Sequence, residues 1–319
     1  MPFADPSAPR RRTYSQVDVF TATPLLGNPL AVVHDGTGLD DERMARFARW
    51  TNLSETTFLV PPTNPEADYR VRIFTPGGEL PFAGHPTLGS CRVWLAAGGQ
   101  PRDGRRIVQE CGIGLVPIRR DLDDAGLQAG ARPAAPERAG ASPWGADNAA
   151  SRTGSSRLAF AAPPVRFERP EAELVQKVCA ALGLEAGRVR DATWMHNGPR
   201  QLTLLLDDAA TVLALEPDHS ALKSLAKVGV VGPHPEGSAC RYEVRFFAAA
   251  IGIDEDPVTG SLNAKIAQWL IDSGRAPKRY VAAQGTAMGR AGRVYVERDD
   301  TGTWIGGDVA ECISGTVLL

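Results

Sequence analysis

The chain has 319 residues, of which 43% are hydrophobic and 23% are charged. These proportions are typical of a soluble globular protein, and because one hydrophobic core seldom grows beyond roughly 250–300 residues, we expect about two domains. The formal net charge of −2 at pH 7 favours neither nucleic acid nor an anionic membrane surface as a partner.

The N-terminal residues contain three consecutive arginines, Arg10, Arg11 and Arg12, with no apolar signal-peptide segment after them. We therefore predict a solvated arginine tail and a cytoplasmic protein. No apolar run approaches the length of a membrane span, so no membrane partner is expected. The five cysteines are odd in number and include no CxxC pair, which is typical of reduced thiols.

Four elements are predicted before residue 61. They are strands at 17–20 and 30–33, a helix that follows a cap at Asp40 or Asp41 and runs to about Trp50, and a strand at 56–60. The turn between the first two strands contains Gly27, Asn28 and Pro29, which are typical turn residues.

Two stretches of the chain are imperfect copies of each other. Residues 69–98 and 242–274 both begin with Tyr-x-Val-Arg-x-Phe, continue through a turn-rich loop and end in an apolar helix. The helices, at about 86–97 and 261–271, are apolar on too many sides for a surface position, so we expect sheet around each. A repeat that occurs twice predicts two halves that face each other across a ligand-binding cleft.

The segment 121–156 interrupts this pattern. It is rich in Ala, Gly, Pro and Ser and lacks apolar periodicity, which predicts a linker or a flexible insertion, with a lid as the alternative. The later predicted elements are strands at 157–161, 201–206, 293–297, 303–305 and 309–318 and a helix at 171–182. Many short strands with two central helices indicate an α+β protein.

The openings of the two repeated helices are candidate anion sites. Unpaired backbone N–H groups and the positive end of each helix dipole point outward at 84–87 and 259–261. Gly84 and Gly260 allow the backbone to approach a ligand closely. Ordinary helix capping is the alternative, but it requires neither a histidine nor a second acidic loop. Two such openings in one cleft would bind a carboxylate.

Three side chains near these openings are candidate acid/base groups. His85 lies beside a helix N-terminus, which disfavours its charged form and keeps it neutral near pH 7. Asp256 lies in the acidic loop of the second copy. Glu55 precedes the strand at 56–60, and a glutamate enclosed by protein has a raised pKa and can act as a base and then as an acid. Taken singly, each would more often be a packed, capping or solvated residue.

Patterns for other chemistries are incomplete. Gly84 and Gly89 have the spacing of a phosphate-binding loop but lack the lysine that would follow. There is no GxGxxG after a strand, no GxSxG, and no metal-ligand spacing among the five histidines. The sequence therefore supports no nucleotide, metal or other cofactor.

Four motifs, DVFTATPLLGNPLAVV, NLSETTFLV, RIFTPGGELPFAGHPTLG and EDPVTGS, occur in this order. Together they resemble the PhzF-like phenazine-biosynthesis family, which shares its fold with diaminopimelate epimerase. The resemblance covers about 17–319 apart from 121–156. It implies two pseudo-symmetric lobes, each a mostly antiparallel barrel-like sheet around a central helix, and usually a homodimer. The lobes would span 14–120, completed by a strand at about 309–319, and 157–308.

The resemblance also implies a cofactor-independent isomerase of secondary metabolism. Glu55 would take a proton from a small unsaturated metabolite that bears a carboxylate and return it at another carbon, so that a double bond moves. His85 and Asp256 complete the predicted catalytic set. The predicted substrate-binding residues are Asn28, Ser54, Gly84, Thr259, Gly260 and Ser261.

Two alternatives remain. The epimerase branch of this fold uses a cysteine pair at the helix-opening loops, and the loops 82–87 and 256–261 contain no cysteine. The first alternative is therefore an amino-acid epimerase with a single base, Glu55, or another proton-transfer enzyme on the same site. A non-catalytic small-molecule-binding protein, the other alternative, would be expected to have lost Glu55 or His85, and both are present.

Overall fold

The computed structural model describes residues 9–104, 106–120, 157–197 and 200–319. The strands are β1 (Arg11–Val19), β2 (Asn28–Val33), β3 (Thr56–Val60), β4 (Tyr69–Thr75), β5 (Gly78–Leu80), β6 (Arg106–Cys111), β7 (Gly114–Arg120), β8 (Leu158–Ala161), β9 (Arg166–Glu168), β10 (Val189–His196), β11 (Arg200–Leu206), β12 (Val228–Pro233), β13 (Tyr242–Phe247), β14 (Arg279–Gln284), β15 (Gly292–Asp299), β16 (Gly302–Gly307) and β17 (Val309–Leu318). The α-helices are α1 (Asp41–Thr51), α2 (Gly84–Ala96), α3 (Ala172–Ala181), α4 (Ala209–Leu213), α5 (His219–Lys223) and α6 (Gly260–Asp272). Short 3-10 helices lie at Ala186–Arg188, Ala249–Ile251 and Thr286–Met288. Strands predominate, so the predicted α+β class is confirmed.

The strands pair in the same order twice. In the N-terminal half, the neighbours are β17, β1, β2, β3, β4, β6, β7 and β8. In the C-terminal half they are β9, β10, β11, β12, β13, β14, β15 and β16. Both series run antiparallel, antiparallel, parallel, antiparallel, parallel, antiparallel and antiparallel. A further antiparallel pair, β8 with β16, joins the two series.

The two repeated helices form the centre of the molecule. Helix α2 packs against β1, β2, β3, β4 and β8, and α6 packs against β15 and β16. The helices also contact each other. Both are buried along most of their length. The prediction that they are internal is confirmed.

Both central helices begin slightly earlier than their apolar patterns indicate. Helix α2 starts at Gly84 rather than Pro86, and α6 starts at Gly260 rather than Ser261. Pro86 is the third residue of α2, within the first turn, where a missing N–H removes no intrahelical hydrogen bond. The polar residues at the two openings therefore belong to the helices themselves.

The predicted solvated arginine tail is wrong. Strand β1 begins at Arg11, and Arg12 lies opposite Val317 of β17. Arg12 is buried, and its guanidinium donates hydrogen bonds to the backbone carbonyls of Asp35 and Thr37. These acceptors lie in the loop after β2, more than 20 residues from Arg12 in the sequence. The arginine triplet alone therefore does not predict these contacts.

The remaining helices cover the outer faces of the sheet. Helices α3, α4 and α5 enclose a second apolar cluster against β11, β12 and β13 of the C-terminal half. Helix α1 covers a smaller cluster in the N-terminal half. Helices α4 and α5 have five residues each, too few to produce a recognisable apolar period, and so were not predicted.

Three further expectations concern the chain as a whole. The predicted linker or insertion at 121–156 lies outside the described residues. All five cysteines are free thiols. Within the part of the chain that the structure describes, no helix is long and apolar enough to cross a membrane.

Candidate active site

The N-termini of α2 and α6 meet between the two halves. A Cβ atom added to Gly84 would lie 3.2 Å from the Cα of Gly260, and one added to Gly260 would lie 3.3 Å from both the Cα of Gly84 and the backbone nitrogen of His85. These neighbours are backbone atoms, which cannot rotate away. Glycine at both positions therefore permits the close approach of the helices.

Neither of these helix openings has a side-chain cap. Ala83 precedes α2 and has no capping group. Thr259 precedes α6, but its hydroxyl donates to Asp256 Oδ2 at 2.5 Å. By contrast, α1, α4 and α5 are capped by Asp40, Asp208 and Asp218. The first backbone N–H groups of α2 and α6 are therefore not used by a side-chain cap, which suits them to bind an anion.

The three predicted acid/base residues come together at this point. Glu55 precedes β3, His85 is the second residue of α2, and Asp256 lies in the loop before α6. His85 Nδ1 is 3.6 Å from Glu55 Oε2, with side-chain exposures of 4% and 15%, and Asp256 is 8% exposed. Asn28 links the cluster, because its Nδ2 lies 2.9 Å from Asp256 Oδ1 and 3.5 Å from His85 Nδ1.

The two shortest hydrogen bonds of the Asn28 amide go to groups other than His85. The two amide hydrogens of Asn28 are used by Asp256 Oδ1 and the carbonyl of Val258, each at 2.9 Å, and Ser54 Oγ donates to Asn28 Oδ1 at 3.4 Å. The contact with His85 Nδ1, at 3.5 Å, is therefore the weakest of the three that Asn28 Nδ2 makes. His85 Nε2 is buried and has no hydrogen-bond partner among the described residues.

Burial shifts the pKa values of all three acid/base groups. Loss of solvent raises the pKa of Glu55 to about 7, against a weaker effect of the Ser54 hydroxyl. Loss of solvent and the charge of Glu55 raise the pKa of Asp256 to about 6, although its hydrogen-bond donors oppose this. Burial lowers the pKa of His85 to about 4. Near pH 7, His85 is therefore neutral, Asp256 is mainly ionised and Glu55 populates both protonation states.

The predicted substrate-binding residues lie around this cluster with different degrees of burial. Asn28, Gly84, Thr259 and Gly260 are buried. Ser54 and Ser261 are partly exposed. The polar groups of Asn28 and Thr259 are hydrogen-bonded to Asp256, so these two side chains fix the carboxylate in place.

Two residues that the sequence analysis missed hold the loop 255–259. The guanidinium of Arg245 donates to both carboxylate oxygens of Glu255, at 2.9 and 2.8 Å. Gln284, at the end of β14, is hydrogen-bonded to Asp256 and Thr259. Arg245 belongs to the repeated Tyr-x-Val-Arg-x-Phe motif, which is the signal that identifies it. Gln284 belongs to no motif.

In the described part of the chain, no group of three or more His, Cys, Asp or Glu side chains could hold a metal ion.

Comparison with known proteins identifies the family. The family model described as phenazine biosynthesis-like protein matches residues 17–314, so the chain belongs to this family. A trans-2,3-dihydro-3-hydroxyanthranilate isomerase of Pseudomonas aeruginosa is 34% identical and aligns over 91% of each chain. Antisense-enhancing sequence 1 of Schizosaccharomyces pombe is 31% identical over 96% of this chain and 99% of its own. The predicted family and the predicted enzyme class, an isomerase, are confirmed.

Two solved structures have the same fold as this chain. A predicted epimerase from Pseudomonas aeruginosa superimposes with a TM-score of 0.73 at 26% identity, over 97% of this chain and 99% of its own. A hydroxyproline epimerase from Agrobacterium vitis shares the fold at 12% identity, with a TM-score of 0.58 over 97% of this chain and 93% of its own. The chain therefore has the fold that isomerases and epimerases of this kind share.

Proposed function

We propose that this protein is a cofactor-independent isomerase that moves a proton and a double bond within a small, unsaturated, cyclic amino acid. The substrate named for the Pseudomonas relative, trans-2,3-dihydro-3-hydroxyanthranilate, represents this class. One observation carries the proposal: Glu55, with a pKa of about 7, lies 3.6 Å from Nδ1 of the buried His85, next to two helix openings that have no side-chain cap. The helix ends attract a carboxylate, and Glu55 accepts a proton.

The reaction needs only a base that becomes an acid. Ionised Glu55 removes a proton from a carbon next to the unsaturated system, and the electron pair of that C–H bond spreads into the conjugated carboxylate. Backbone N–H groups at Gly84 and Gly260 stabilise the developing negative charge. Protonated Glu55 then delivers its proton to a different carbon, and the double bond moves. Protons and electrons balance within the substrate.

His85 and Asp256 orient the substrate in this scheme. Neutral His85 presents a ring nitrogen that meets a hydroxyl or amino group. Ionised Asp256 keeps unused lone pairs on its carboxylate oxygens, which accept hydrogen bonds from an ammonium group. A pKa near the working pH suits Glu55 to both halves of the proton transfer.

We also infer that the molecule arose by duplication into pseudo-symmetric lobes. The repeated order of strand pairing supports lobes at 14–120 and 157–308, and the pairing of β17 with β1 supports completion of the first lobe by the C-terminal strand. The homodimer and the cytoplasmic location stay predictions. Light scattering of the purified protein tests the first, and cell fractionation tests the second.

Turnover in deuterated water tests the proposed activity. We expect the wild-type protein to convert trans-2,3-dihydro-3-hydroxyanthranilate to a product with a displaced double bond, observed by proton NMR. The variant Glu55→Gln keeps the shape of the side chain but cannot accept a proton, so we expect the rate to fall about 10²- to 10⁴-fold. Glu42→Gln, on an exposed glutamate of α1, is the control and should retain full activity.

Other outcomes identify the alternatives. Deuterium at a stereocentre with the double bond in place indicates a one-base epimerase. Saturable binding without conversion or exchange of any cyclic amino acid indicates a binding protein. Equal activity of Glu55→Gln and wild type contradicts the assigned base.

A further inference from the structure

Gln284 has a fully satisfied amide beneath the candidate site. The side chain is completely buried. Its Nε2 donates to the carbonyl of Asp256 at 3.1 Å and to Thr259 Oγ1 at 3.0 Å. Its Oε1 accepts from the backbone N–H of Thr259 at 3.0 Å and from Asn263 Nδ2 at 2.8 Å. The amide orientation is fixed, because a backbone carbonyl only accepts and a backbone N–H only donates.

This orientation determines what the Thr259 hydroxyl does. Because Gln284 donates to Thr259 Oγ1, the hydroxyl hydrogen is directed to Asp256 Oδ2, 2.5 Å away. The amide of Asn28 donates to the other carboxylate oxygen, Oδ1, and its own orientation is fixed by the carbonyl of Val258. Each oxygen of Asp256 therefore faces a donor of fixed direction. Donors of this kind favour the ionised form of a carboxyl group.

We propose that Gln284 is a positioning residue for the reaction: by directing the hydroxyl of Thr259, it holds Asp256 as an ionised hydrogen-bond acceptor and leaves proton transfer to Glu55. The inference rests on the proposed function and deepens it. The titratable groups that face Asp256 are Glu55 and His85. Without the donor from Thr259, the two carboxyl groups would compete for one proton.

The N-terminal half provides a matched comparison for Gln284. Gln109 of β6 is also fully buried. Its Oε1 accepts from the Tyr69 hydroxyl at 2.9 Å, and its Nε2 donates to Thr87 Oγ1 at 3.0 Å. The hydroxyl of Thr87 in turn donates to the carbonyl of Ala83 at 2.9 Å. The same chain of amide and hydroxyl thus occurs beside α2, but it ends on a backbone carbonyl and not on a carboxylate.

A titration of Asp256 shows whether Gln284 positions this carboxylate or only contributes to packing. The carboxyl signals of carbon-13-labelled aspartates are followed against pH, and Asp256 is assigned with Asp256→Asn. We expect Gln284→Leu to raise the pKa of Asp256 by about one unit, because the Thr259 hydroxyl is then no longer directed to the carboxylate. Gln109→Leu removes a buried amide of the same kind, and we expect it to reduce thermal stability comparably without moving this pKa.

Thr259→Val supplies a second, smaller change. It removes the donor hydroxyl itself, so we expect the same rise in the pKa of Asp256, with no further rise when Gln284→Leu is added to it. In turnover at pH 7, we expect Gln284→Leu to lower kcat at least tenfold and to alter KM less. Because Glu55 and Asp256 act in their ionised forms in the proposed reaction, kcat should rise with pH, and this rise should move to higher pH in Gln284→Leu.

Three results overturn the proposal. They are an unchanged Asp256 titration in Gln284→Leu, an equal displacement in Gln109→Leu, and additive displacements in the double variant. The titration needs no turnover, so failure to convert the test substrate contradicts the proposed function without altering this measurement. Where Gln284→Leu fails to fold, Gln284→Met takes its place, because it also lacks the amide but keeps the length of the side chain.

Discussion

In the proposed function, Glu55 links proton transfer to the stability of the fold. Its enclosure raises its pKa from 4.5 to about 7, so the folded protein favours the protonated form. This stabilising contribution is fully present below the unfolded-state pKa, and it is lost as the pH rises through about 7. At alkaline pH the fold therefore holds an unfavourably buried carboxylate, as expected for the proposed catalytic base.

The variant Glu55→Gln should consequently become more stable than the wild type as the pH rises. We expect its free energy of unfolding to exceed that of the wild type by about 1 to 3 kcal/mol at pH 8 and to be nearly equal to it at pH 4. Urea denaturation at the two pH values measures the difference. Glu42→Gln should show no such change with pH. A difference between Glu55→Gln and wild type that is the same at both pH values contradicts the enclosure of Glu55.

Individual residues also show what the sequence could and could not reveal. Glu55, His85 and Asp256 were predicted because each lies in a recognisable motif. The strand predicted at 17–20 ends at Val19 in the structure, one residue before Phe20. That residue adopts a left-handed backbone with φ of 66°, and its ring packs against Gly260 and Gly307. These glycines are distant in the sequence, so no local pattern predicts the turn.

At the scale of elements, the two copies of the repeat carry the same ion pair in different surroundings. Arg72 donates to both carboxylate oxygens of Glu79, at 2.8 and 2.6 Å, as Arg245 does to Glu255. The Glu79 side chain is 42% exposed, whereas that of Glu255 is 11% exposed. Only Glu255 is followed by an acid, Asp256. We infer that one copy of a shared loop scaffold acquired a role in the site.

This difference predicts unequal effects of the same substitution. Glu255→Gln leaves Arg245 without a full counter-charge in a buried position, and we expect a loss of about 3 kcal/mol in unfolding free energy. Because the loop 255–259 loosens, kcat should fall at least tenfold. Glu79→Gln should cost less than about 1 kcal/mol and leave kcat unchanged. Urea denaturation and steady-state assays measure both. Equal effects of the two variants would refute the specialisation of the second copy.

The elements themselves were predictable where their apolar patterns are long. Helices α1, α2, α3 and α6 and strand β3 lie where the spacing of apolar residues indicates. The boundaries of α2 and α6 were less certain, since their first residues are polar or small and contribute no apolar period. Helix α4 packs against β12 and β13, and α5 packs against α3 and the 3-10 helix at Ala249–Ile251, so tertiary packing determines both.

At the scale of the whole molecule, backbone contacts between the halves fix the geometry of the site. The N–H of Thr21 donates to the carbonyl of Asp308 at 3.1 Å, and that of Ala291 donates to Leu26 at 2.7 Å. The segment that leads into Asn28 is thereby attached to the C-terminal half. Asn28 can then reach Asp256, although the two are far apart in the sequence. Such contacts follow from the fold and could not be predicted from motifs.

A structure with a bound, unreactive carboxylate tests the central claim most directly. Anthranilate keeps the ring, amino group and carboxylate of the proposed substrate class, but its aromatic ring opposes a double-bond shift. We predict that its carboxylate lies about 3 Å from backbone nitrogens at the opening of α2 or α6, and that a ring carbon lies within about 3.5 Å of a Glu55 carboxylate oxygen. Binding elsewhere, or a Glu55 side chain directed away from the bound ring, would contradict the account.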